Sequence, residues 1–211
     1  MDKNFAKVQL SAEEMRLVTD PAWILTKNSI IAKVVAMFAL LGERWQEMLR
    51  ENRALSPVSP GMLALHIAAA TPKISKGEQY RGLPYVMLDC PREFGREDVL
   101  AIRTLFWWGH AFSVTLHLKG IYQVTLLPVI LERREELAAA GFELGVSEGE
   151  WEHGHLPENY RPWAGAEELG AARPFLKLSA RCGLEYWEEA PELLSELYRK
   201  LLEVMSSEDD S

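Results

Sequence analysis

Apolar side chains recur at seven-residue intervals in the first quarter of the chain, and this spacing is typical of one face of an amphipathic helix. The stripe consists of Ile24, Ile31, Val34, Phe38, Leu41, Trp45 and Met48. Asp20 is suited to cap a helix and Pro21 to occupy its first position. We therefore predict a long helix, or a kinked pair bent at Gly42, that reaches about Asn52. Burial in the protein's own core is favoured over an oligomer seam, because three heptads are marginal for a coiled coil.

Two shorter helices are predicted on either side of this long one. Ser11 and Glu14 have the spacing of a capping box, so a helix is expected to begin there and to end near Thr19. Residues 56–61 carry two prolines and a glycine, which predict a loop. Residues 62–70 are apolar enough for a short buried helix.

Alternation of apolar and polar residues predicts three strands, at residues 112–119, 142–146 and 175–184. Residues 83–90 are almost entirely apolar, which is typical of a strand that is buried on both faces. Residues 73–82 are polar and are expected to form a loop or the edge of a sheet. Since side chains two apart on a strand point the same way, each alternating strand has one apolar and one polar face.

The remaining segments are interpreted as helices and a long loop. Residues 96–108 are predicted to be a helix, because their apolar side chains fall on one side at helical spacing. These side chains are Val99, Ile102, Leu105 and Phe106. Residues 122–127 are either a strand or the start of the next helix, and helices are predicted at 128–140 and 191–205. Residues 148–174 form a Gly/Pro-rich loop whose aromatic residues hold it against the domain.

The order of these elements predicts the fold class. Helices come first and are followed by a mixture of strands and helices, which favours an α+β fold over a doubly wound parallel sheet. We expect a mostly antiparallel sheet of four to five strands, packed against the long N-terminal helix and further helices. No internal repeat or low-complexity linker is present, so residues 1–211 are predicted to be one domain. Its helical part covers about residues 11–70, and residues 206–211 form a disordered acidic tail.

The composition excludes several classes of partner. The 211 residues contain 23 Lys and Arg against 31 Asp and Glu, for a net charge of −8. An acidic surface repels phosphate groups, so neither nucleic acid nor an anionic membrane is an expected partner. The longest apolar run, residues 29–42, contains Lys33 and is too short to span a bilayer. With two cysteines and no apolar signal core, a cytoplasmic protein with reduced thiols is expected.

The polar faces of two predicted strands contain the candidate ligand-binding residues. These faces comprise Ser113, Thr115, His117 and Lys119 on one strand and Lys177, Ser179 and Arg181 on the other. If the two strands pair, an otherwise acidic protein acquires a small basic face. Such a face suits a carboxylate or phosphate ligand, with Arg181 as its bidentate partner. The alternative is a solvated outer face, which is the usual role of this pattern in antiparallel sheets.

His110 is a further candidate for ligand binding. It follows two adjacent tryptophans, Trp107 and Trp108, where the predicted helix gives way to a strand. A histidine beside aromatic rings can act as a general base or stack on a planar ligand. The more common role is a polar group whose hydrogen bonds are satisfied by a nearby carbonyl.

His153 and His155 are the candidate metal ligands. A His-x-His pair in extended backbone places both imidazoles on one side, which suits a first-row metal. Together with Glu158 and Gly165 the pair resembles part of the cupin metal motif. Ser147 stands where a cupin has glycine, and no later histidine follows, so we reject the cupin fold. Surface histidines in a loop are the alternative.

No sequence motif identifies a chemistry or a family. The chain lacks a Walker loop, GxGxxG, GxSxG, HExxH, CxxC and the kinase motifs. Its seven tryptophans are typical of cores and contact surfaces. We therefore expect a module that binds a small anionic ligand or a protein, as a homodimer. The sequence does not indicate whether a cofactor is bound. The alternative is an enzyme of unrecognised type that acts on a small anionic substrate or uses a histidine-bound metal.

Overall fold

A computed structural model describes residues 8–51, 71–163 and 173–206. The predicted loop at 56–61, the predicted helix at 62–70 and the acidic tail beyond Ser206 lie outside the described residues. The helices are α1 (Ala12–Thr19), α2 (Pro21–Glu51), α3 (Ile121–Glu132), α4 (Arg134–Ala139) and α5 (Ala190–Met205). The strands are β1 (Lys73–Tyr80), β2 (Leu83–Phe94), β3 (Val99–Trp107), β4 (Ala111–Lys119), β5 (Glu143–Gly145), β6 (Tyr160–Arg161) and β7 (Phe175–Gly183).

The strands form one antiparallel sheet in the order β1-β2-β3-β4-β7-β5-β6. The predicted α+β class with an antiparallel sheet is confirmed. The described residues contain seven strands, more than the four to five expected, because residues 73–80 and 99–107 are strands and residues 160–161 add a short one. The prediction that the whole chain is one domain stays a prediction.

The long helix α2 buries the heptad stripe that the sequence predicts from Ile31 onward, whereas Ile24 near its start is 39% exposed. Val34, Phe38 and Trp45 are fully buried against the sheet and α5. The helix continues through Gly42 as a single element, which is the first of the two predicted alternatives. A side chain at Gly42 would lie 3.1 Å from Cβ of Pro72 and 3.3 Å from Cδ1 of Leu88, so glycine here permits close approach of helix and sheet.

By length and composition, α2 could also cross a membrane. An 18-residue window has a mean hydropathy of 1.7, and 22% of that window is buried. Core helices of soluble proteins meet the same criterion, and the second half of α2 belongs to the hydrophobic core. The helix is therefore weak evidence in either direction. The sequence-based expectation of a cytoplasmic protein stays a prediction.

The prediction of a helix at residues 96–108 is wrong, because residues 99–107 form the central strand β3. Eight of its nine residues are buried, so both of its faces are largely apolar and no strand-like alternation is visible in the sequence. The strand contains Val99, Ile102, Thr104 and several aromatics, residue types that favour strands. Pairing with β2 and β4 on its two sides therefore decides the conformation that periodicity leaves open.

Helices and the hydrophobic core occupy one side of the sheet. The side chains that point to this side include Leu88, Ile102, Phe106, Leu116, Leu178 and Ala180, which pack with α2, α3 and α5. Residues 122–127, left open between a strand and the start of a helix, belong to α3, which continues through Pro128. The helix predicted at 128–140 is divided between α3 and α4. The final helix α5 buries Leu194, Tyr198 and Leu201 and is confirmed.

The opposite side of the sheet is covered by a stretch of chain without long regular elements. We call residues 147–163 the covering segment. It begins after β5, contains β6 near its end and then leaves the sheet. It carries Trp151, His153 and His155. The prediction that this loop packs down on the protein is confirmed for the described residues, since Gly154, His155 and Tyr160 are buried.

Candidate functional site

The two alternating strands predicted from the sequence pair with each other. Strands β4 and β7 are antiparallel neighbours, and the register places His117 opposite Lys177, Thr115 opposite Ser179 and Ser113 opposite Arg181. The polar residues of both strands therefore share one side of the sheet. We call this side, extended onto β2 and β3 by Asp89 and Arg103, the polar face.

The central part of the polar face is covered and is not in contact with solvent. His117, Lys177 and Ser179 are 4%, 5% and 0% exposed. The alternative of a solvated outer face therefore does not apply to these positions. Because buried polar groups cost free energy unless they are paired, the partners of these side chains determine the character of the site.

Lys177 connects the sheet to the covering segment. Its ammonium group donates hydrogen bonds to the backbone carbonyls of Glu150, at 2.9 Å, and Glu152, at 2.5 Å. It forms no ion pair with any residue in the described part of the chain. Burial, and next the charge of Arg103, lower the pKa of Lys177 from 10.5 to about 8. A buried cation thus rests on neutral oxygens, without a carboxylate in contact.

Arg103 forms the second connection. Its guanidinium binds the Asp89 carboxylate in a bidentate manner, with Nε–Oδ1 at 2.6 Å and Nη2–Oδ2 at 2.9 Å. Its remaining nitrogen, Nη1, lies 2.9 Å from Nδ1 of His153. It also lies 3.3 Å from Nε2 of the same ring. Because a guanidinium only donates, this contact requires an unprotonated ring nitrogen on His153. Burial, and next the charge of Arg103, lower the pKa of His153 to about 3.

His117 and Glu150 form a pair that is close but not hydrogen-bonded. Nε2 of His117 lies 3.4 Å from Oε1 of Glu150. Both atoms are buried and have no hydrogen-bond partner among the described residues. The other oxygen of Glu150 accepts a hydrogen bond of 3.0 Å from Lys119. Burial, followed by the charge of Lys177, lowers the pKa of His117 to about 3, so its imidazole is neutral.

His155 has a separate set of partners. Its Nδ1 lies 3.1 Å from Oγ of Ser179, and its Nε2 lies 2.8 Å from a carboxylate oxygen of Glu143. The imidazole also stacks on Tyr160, with ring centroids 4.5 Å apart. Burial lowers the pKa of His155, and the neighbouring Glu143 opposes this shift.

Tyr80, at the end of the edge strand β1, anchors the covering segment. Its hydroxyl donates to the Glu152 carboxylate. The same oxygen accepts hydrogen bonds from the backbone N–H groups of His153, at 3.0 Å, and Gly154, at 2.7 Å. One side chain therefore fixes three consecutive residues above the polar face.

A small cavity remains between the sheet and the covering segment, and we call it the basic chamber. Its lining consists of Phe94, Ala101, Arg103, Thr115, His117, His153 and Lys177. The centre of a water molecule can occupy about 10 Å³ of it, which is room for about one water-sized species. The cations Arg103 and Lys177 and the neutral imidazoles of His117 and His153 thus surround one enclosed position.

Three of the sequence-predicted site residues meet at the basic chamber, namely His117, Lys177 and His153. His110 does not: it is exposed at the β3–β4 turn and stacks on Trp107, with ring centroids 3.6 Å apart. It lies seven residues from His117 along β4, or roughly 20 Å for an extended chain. Arg181 is exposed beyond the covered part of β7, four residues from Lys177.

The two candidate metal ligands do not share a site. His153 contacts Arg103 and His155 contacts Glu143 and Ser179, so their ring nitrogens serve different partners. Within residues 8–51, 71–163 and 173–206, no group of three His, Cys, Asp or Glu side chains could hold a metal ion. The metal site stays a prediction that this arrangement does not support.

A larger and more open depression lies elsewhere, between the end of β7 and α5. It has a volume of about 820 Å³, and its lining includes Cys182, Tyr186, Leu193 and Leu197, with Arg181 at its border. Its size is that of a small-molecule site, but it contains no buried polar group and none of the charged groups with large pKa shifts. The candidate site for binding or catalysis is therefore the basic chamber, which is lined by Arg103, His117, His153 and Lys177.

The sequence alone misses Arg103, which is hidden because its segment is interpreted as a helix. Its partner Asp89 is recognisable only as a carboxylate at the end of an apolar strand. Glu150, in the covering segment, is recognisable only as an acidic residue close to the His-x-His pair. A strand interpretation of residues 99–107 would have revealed Arg103, because a single arginine between buried apolar neighbours requires a partner.

Comparisons of this chain with protein-family models, with curated proteins and with solved structures found no match.

Proposed function

We propose that this protein is a binding module for a small anion, which it holds in the basic chamber. The observation that supports this most directly is Lys177, a cation that is 5% exposed and has no carboxylate in contact among the described residues. Buried charges in proteins are normally paired, because removal from water costs several kcal/mol. An anion at the chamber would supply the missing counter-charge.

The chamber offers donors of suitable chemistry and position. The ammonium of Lys177 has three hydrogens, of which two are used by backbone carbonyls. Arg103 contributes a second positive charge, although Asp89 offsets it. In the closed form the chamber fits a monatomic anion of about the size of water. A carboxylate or phosphate group fits only if the covering segment lifts.

Several of the contacts that hold the covering segment are exposed or partly exposed ion pairs, which break at a small cost in free energy. Lys119 and Glu150 are a partly exposed ion pair, and Arg81 contacts Glu152 at 3.3 Å and Glu158 at 3.2 Å near the surface. Such pairs contribute only about 0–1 kcal/mol each. Binding of a larger anion would therefore compete with a limited number of polar contacts, chiefly those of Tyr80 and Lys177.

Thermal unfolding in the presence of different anions tests this proposal. At constant ionic strength, we expect chloride, acetate or phosphate to raise the Tm of the wild-type protein in a saturable manner, since a ligand that binds only the folded state stabilises it. Lys177→Gln removes the charge and keeps a hydrogen-bond donor, so the anion-dependent increase should disappear. Lys200→Gln, on α5 at the opposite side of the sheet, is the control. Equal anion responses in all three proteins would reject the site.

A second candidate function, an enzyme, is favoured by one observation. Lys177, with a pKa of about 8, shares the chamber with two neutral imidazoles, and such clusters of shifted groups are typical of active sites. A partly deprotonated lysine can attack a carbonyl carbon to form an imine and release water. A small 2-oxo acid would match the basic surroundings.

Trapping experiments separate the enzyme from the binding module. Borohydride reduction in the presence of a 2-oxo acid would convert an imine on Lys177 to a stable secondary amine, which mass spectrometry locates. An adduct at Lys177 in preference to the exposed Lys33 would support the enzyme. Adducts confined to exposed lysines would reject it and leave the binding module unaffected.

A further inference from the structure

Two exposed aromatic rings border the basic chamber. Phe94, at the end of β2, lines the chamber and is 39% exposed. Trp151, in the covering segment, is 52% exposed. The two rings contact each other, with centroids 6.0 Å apart. An apolar patch therefore extends from the surface of the protein to an enclosed cavity that contains two cations.

Both rings contact groups that line the chamber. The ring centroid of Trp151 is 5.4 Å from that of His117 and 6.5 Å from that of His153, in edge-on arrangements. The guanidinium carbon of Arg103 lies 5.6 Å from the centroid of the Phe94 ring. A ligand that passes between the two rings would therefore meet the chamber next.

An aromatic pair beside a charged cavity has the composition that is typical of small-molecule sites. Such sites combine aromatic walls, which bind an apolar body, with a few polar groups that fix its orientation. Phe94 and Trp151 would supply the walls, and Lys177 the charge. A ligand that is anionic at one end and apolar at the other matches both parts at once.

The charges at the chamber determine which end of such a ligand enters. Arg103 and Lys177 are its two cations. The carboxylate of Asp89 is held by Arg103, and that of Glu150 accepts a hydrogen bond from Lys119. Lys177 has no carboxylate in contact among the described residues. We therefore expect the anionic group at Lys177 and the uncharged body at the two rings.

A planar ring fits between Phe94 and Trp151 after a small movement. Carbon atoms in contact lie about 3.5 Å apart, so an inserted ring requires about 7 Å between the two flanking rings. The present centroids are 6.0 Å apart, and the rings are tilted by 54°. Trp151 belongs to the covering segment, which has to lift before any carboxylate can enter the chamber. A thicker, non-planar body would require a larger displacement.

We propose that the ligand of the basic chamber is a small aromatic carboxylate, whose carboxylate group binds Lys177 and whose ring stacks between Phe94 and Trp151. This inference rests on the proposed function, because it names the class of anion that the chamber would hold. It commits to an aromatic body, since aromatic rings in contact contribute binding free energy beyond the burial of their area.

Calorimetric titration with three carboxylates tests the inference. Benzoate, cyclohexanecarboxylate and acetate carry the same charged group on an aromatic ring, an aliphatic ring and a methyl group. The Kd of benzoate should be at least about tenfold lower than that of acetate, and roughly threefold or more below that of cyclohexanecarboxylate. Nuclear Overhauser effects between the ring protons of benzoate and the indole of Trp151 should locate the bound ring.

Substitution of the two rings separates stacking from charge. Trp151→Leu and Phe94→Leu keep an apolar side chain and remove one ring each. Either change should reduce the preference for benzoate over acetate by about threefold or more, and acetate should still bind. Trp23→Leu is the matched control, because Trp23 is 46% exposed on α2. This variant should keep the preference of the wild-type protein.

Failure of this inference can be distinguished from failure of the proposed function. Equal binding of acetate and benzoate by the wild-type protein, or tighter binding of cyclohexanecarboxylate, would overturn only the aromatic ligand. Stabilisation by chloride without binding of any of the three carboxylates would do the same. Equal losses of acetate and benzoate binding in both ring variants would show that the rings only hold the covering segment, and would also overturn the inference. Absence of any anion response would reject the site itself.

Discussion

The ammonium group of Lys177 donates a hydrogen bond of 2.9 Å to the backbone carbonyl of Glu150. This contact joins the strand β7 to the covering segment, which has little regular structure, through two residues that are 27 positions apart in the chain. A loop over a polar sheet face cannot be held by apolar packing alone, because its own backbone groups need partners. Side chains of the sheet supply those partners here, and this is why charged residues are buried in the middle of an acidic protein.

The neutral histidines of the polar face predict loss of stability in mild acid. His117 and His153 have pKa values of about 3 in the folded protein against 6.5 as the ordinary value. Between these two pKa values the unfolded chain binds more protons than the folded protein does. The contribution of the two histidines to the free energy of unfolding is therefore complete above pH 6.5 and decreases as the pH falls toward 3. Urea unfolding between about pH 7 and pH 5 measures this slope.

Substitution of a single histidine separates this effect from general acid denaturation. His153→Asn should flatten the pH dependence in that range, whereas His110→Asn, at the exposed β3–β4 turn, should leave the slope of the wild type. NMR titration provides the direct check. Protonated imidazoles at both His117 and His153 at about pH 5 would contradict the prediction.

Loss of Arg103 should destabilise the protein strongly. Arg103→Met leaves the carboxylate of Asp89, which is 4% exposed, without its bidentate partner, and breaking a buried pair in this way costs about 3–5 kcal/mol. Arg103→Met/Asp89→Leu should recover most of the loss, because it removes both charges. Arg96→Met, which breaks an exposed contact with Glu97, should change the free energy of unfolding by less than about 0.5 kcal/mol. Chemical denaturation of the wild-type protein and the three variants measures these differences in the free energy of unfolding.

Removal of one hydroxyl should loosen the covering segment. Tyr80→Phe eliminates hydrogen bonds to the Glu152 carboxylate and to the backbone of His153 and Gly154, and should cost about 1–3 kcal/mol. Hydrogen exchange at residues 152–154 should accelerate more than at β4. Tyr85→Phe is the matched control, because the hydroxyl of Tyr85 forms no hydrogen bond with a described residue. Similar exchange in both variants would show that Tyr80 does not anchor the segment.

A side chain at position 154 should destabilise the protein, whereas a side chain at position 149 should be tolerated. A Cβ at position 154 would lie 2.7 Å from the ring of Trp107 and 3.2 Å from the hydroxyl of Tyr80. Gly154→Ala is therefore expected to cost about 1–3 kcal/mol and to displace the covering segment. At Gly149 the nearest atom would be 3.6 Å away, so Gly149→Ala in the same segment should be close to neutral. Equal Tm values for the two variants would contradict this packing.

The sequence predicted the parts of the site that lie on alternating strands. In residues 112–119 and 175–184 one face must be apolar, so the pattern fixes which side chains share the other face. That His117 and Lys177 share one face follows from that pattern once the strands are neighbours, and the register of the two strands places them opposite each other. The pattern carried no information for β3, because eight of its nine residues are buried. Arg103 was missed for that reason.

The covering segment could not be predicted beyond its tendency to pack down. Nothing in residues 148–155 indicates that Glu150 and Glu152 would offer their backbone carbonyls to a lysine, because carbonyls are present at every position. Nor does the His-x-His spacing reveal that the two imidazoles contact different partners. Such contacts depend on the distance between the loop and the sheet, which is set by the packing of Trp107 against Gly154 and by the anchoring action of Tyr80.

The sequence by itself determined the long helix α2 with its buried stripe and the polar faces of β4 and β7, because each of these is a regular repeat of side chains along one element. The order of such elements along the chain determined the α+β class. Only the tertiary structure decided that the polar face is covered, that Arg103 and Asp89 belong to it, and that His110 and Arg181 lie apart from it. The physical reason is that burial and pairing depend on the distances between elements far apart in the chain, and the side-chain pattern of a single element does not encode these distances.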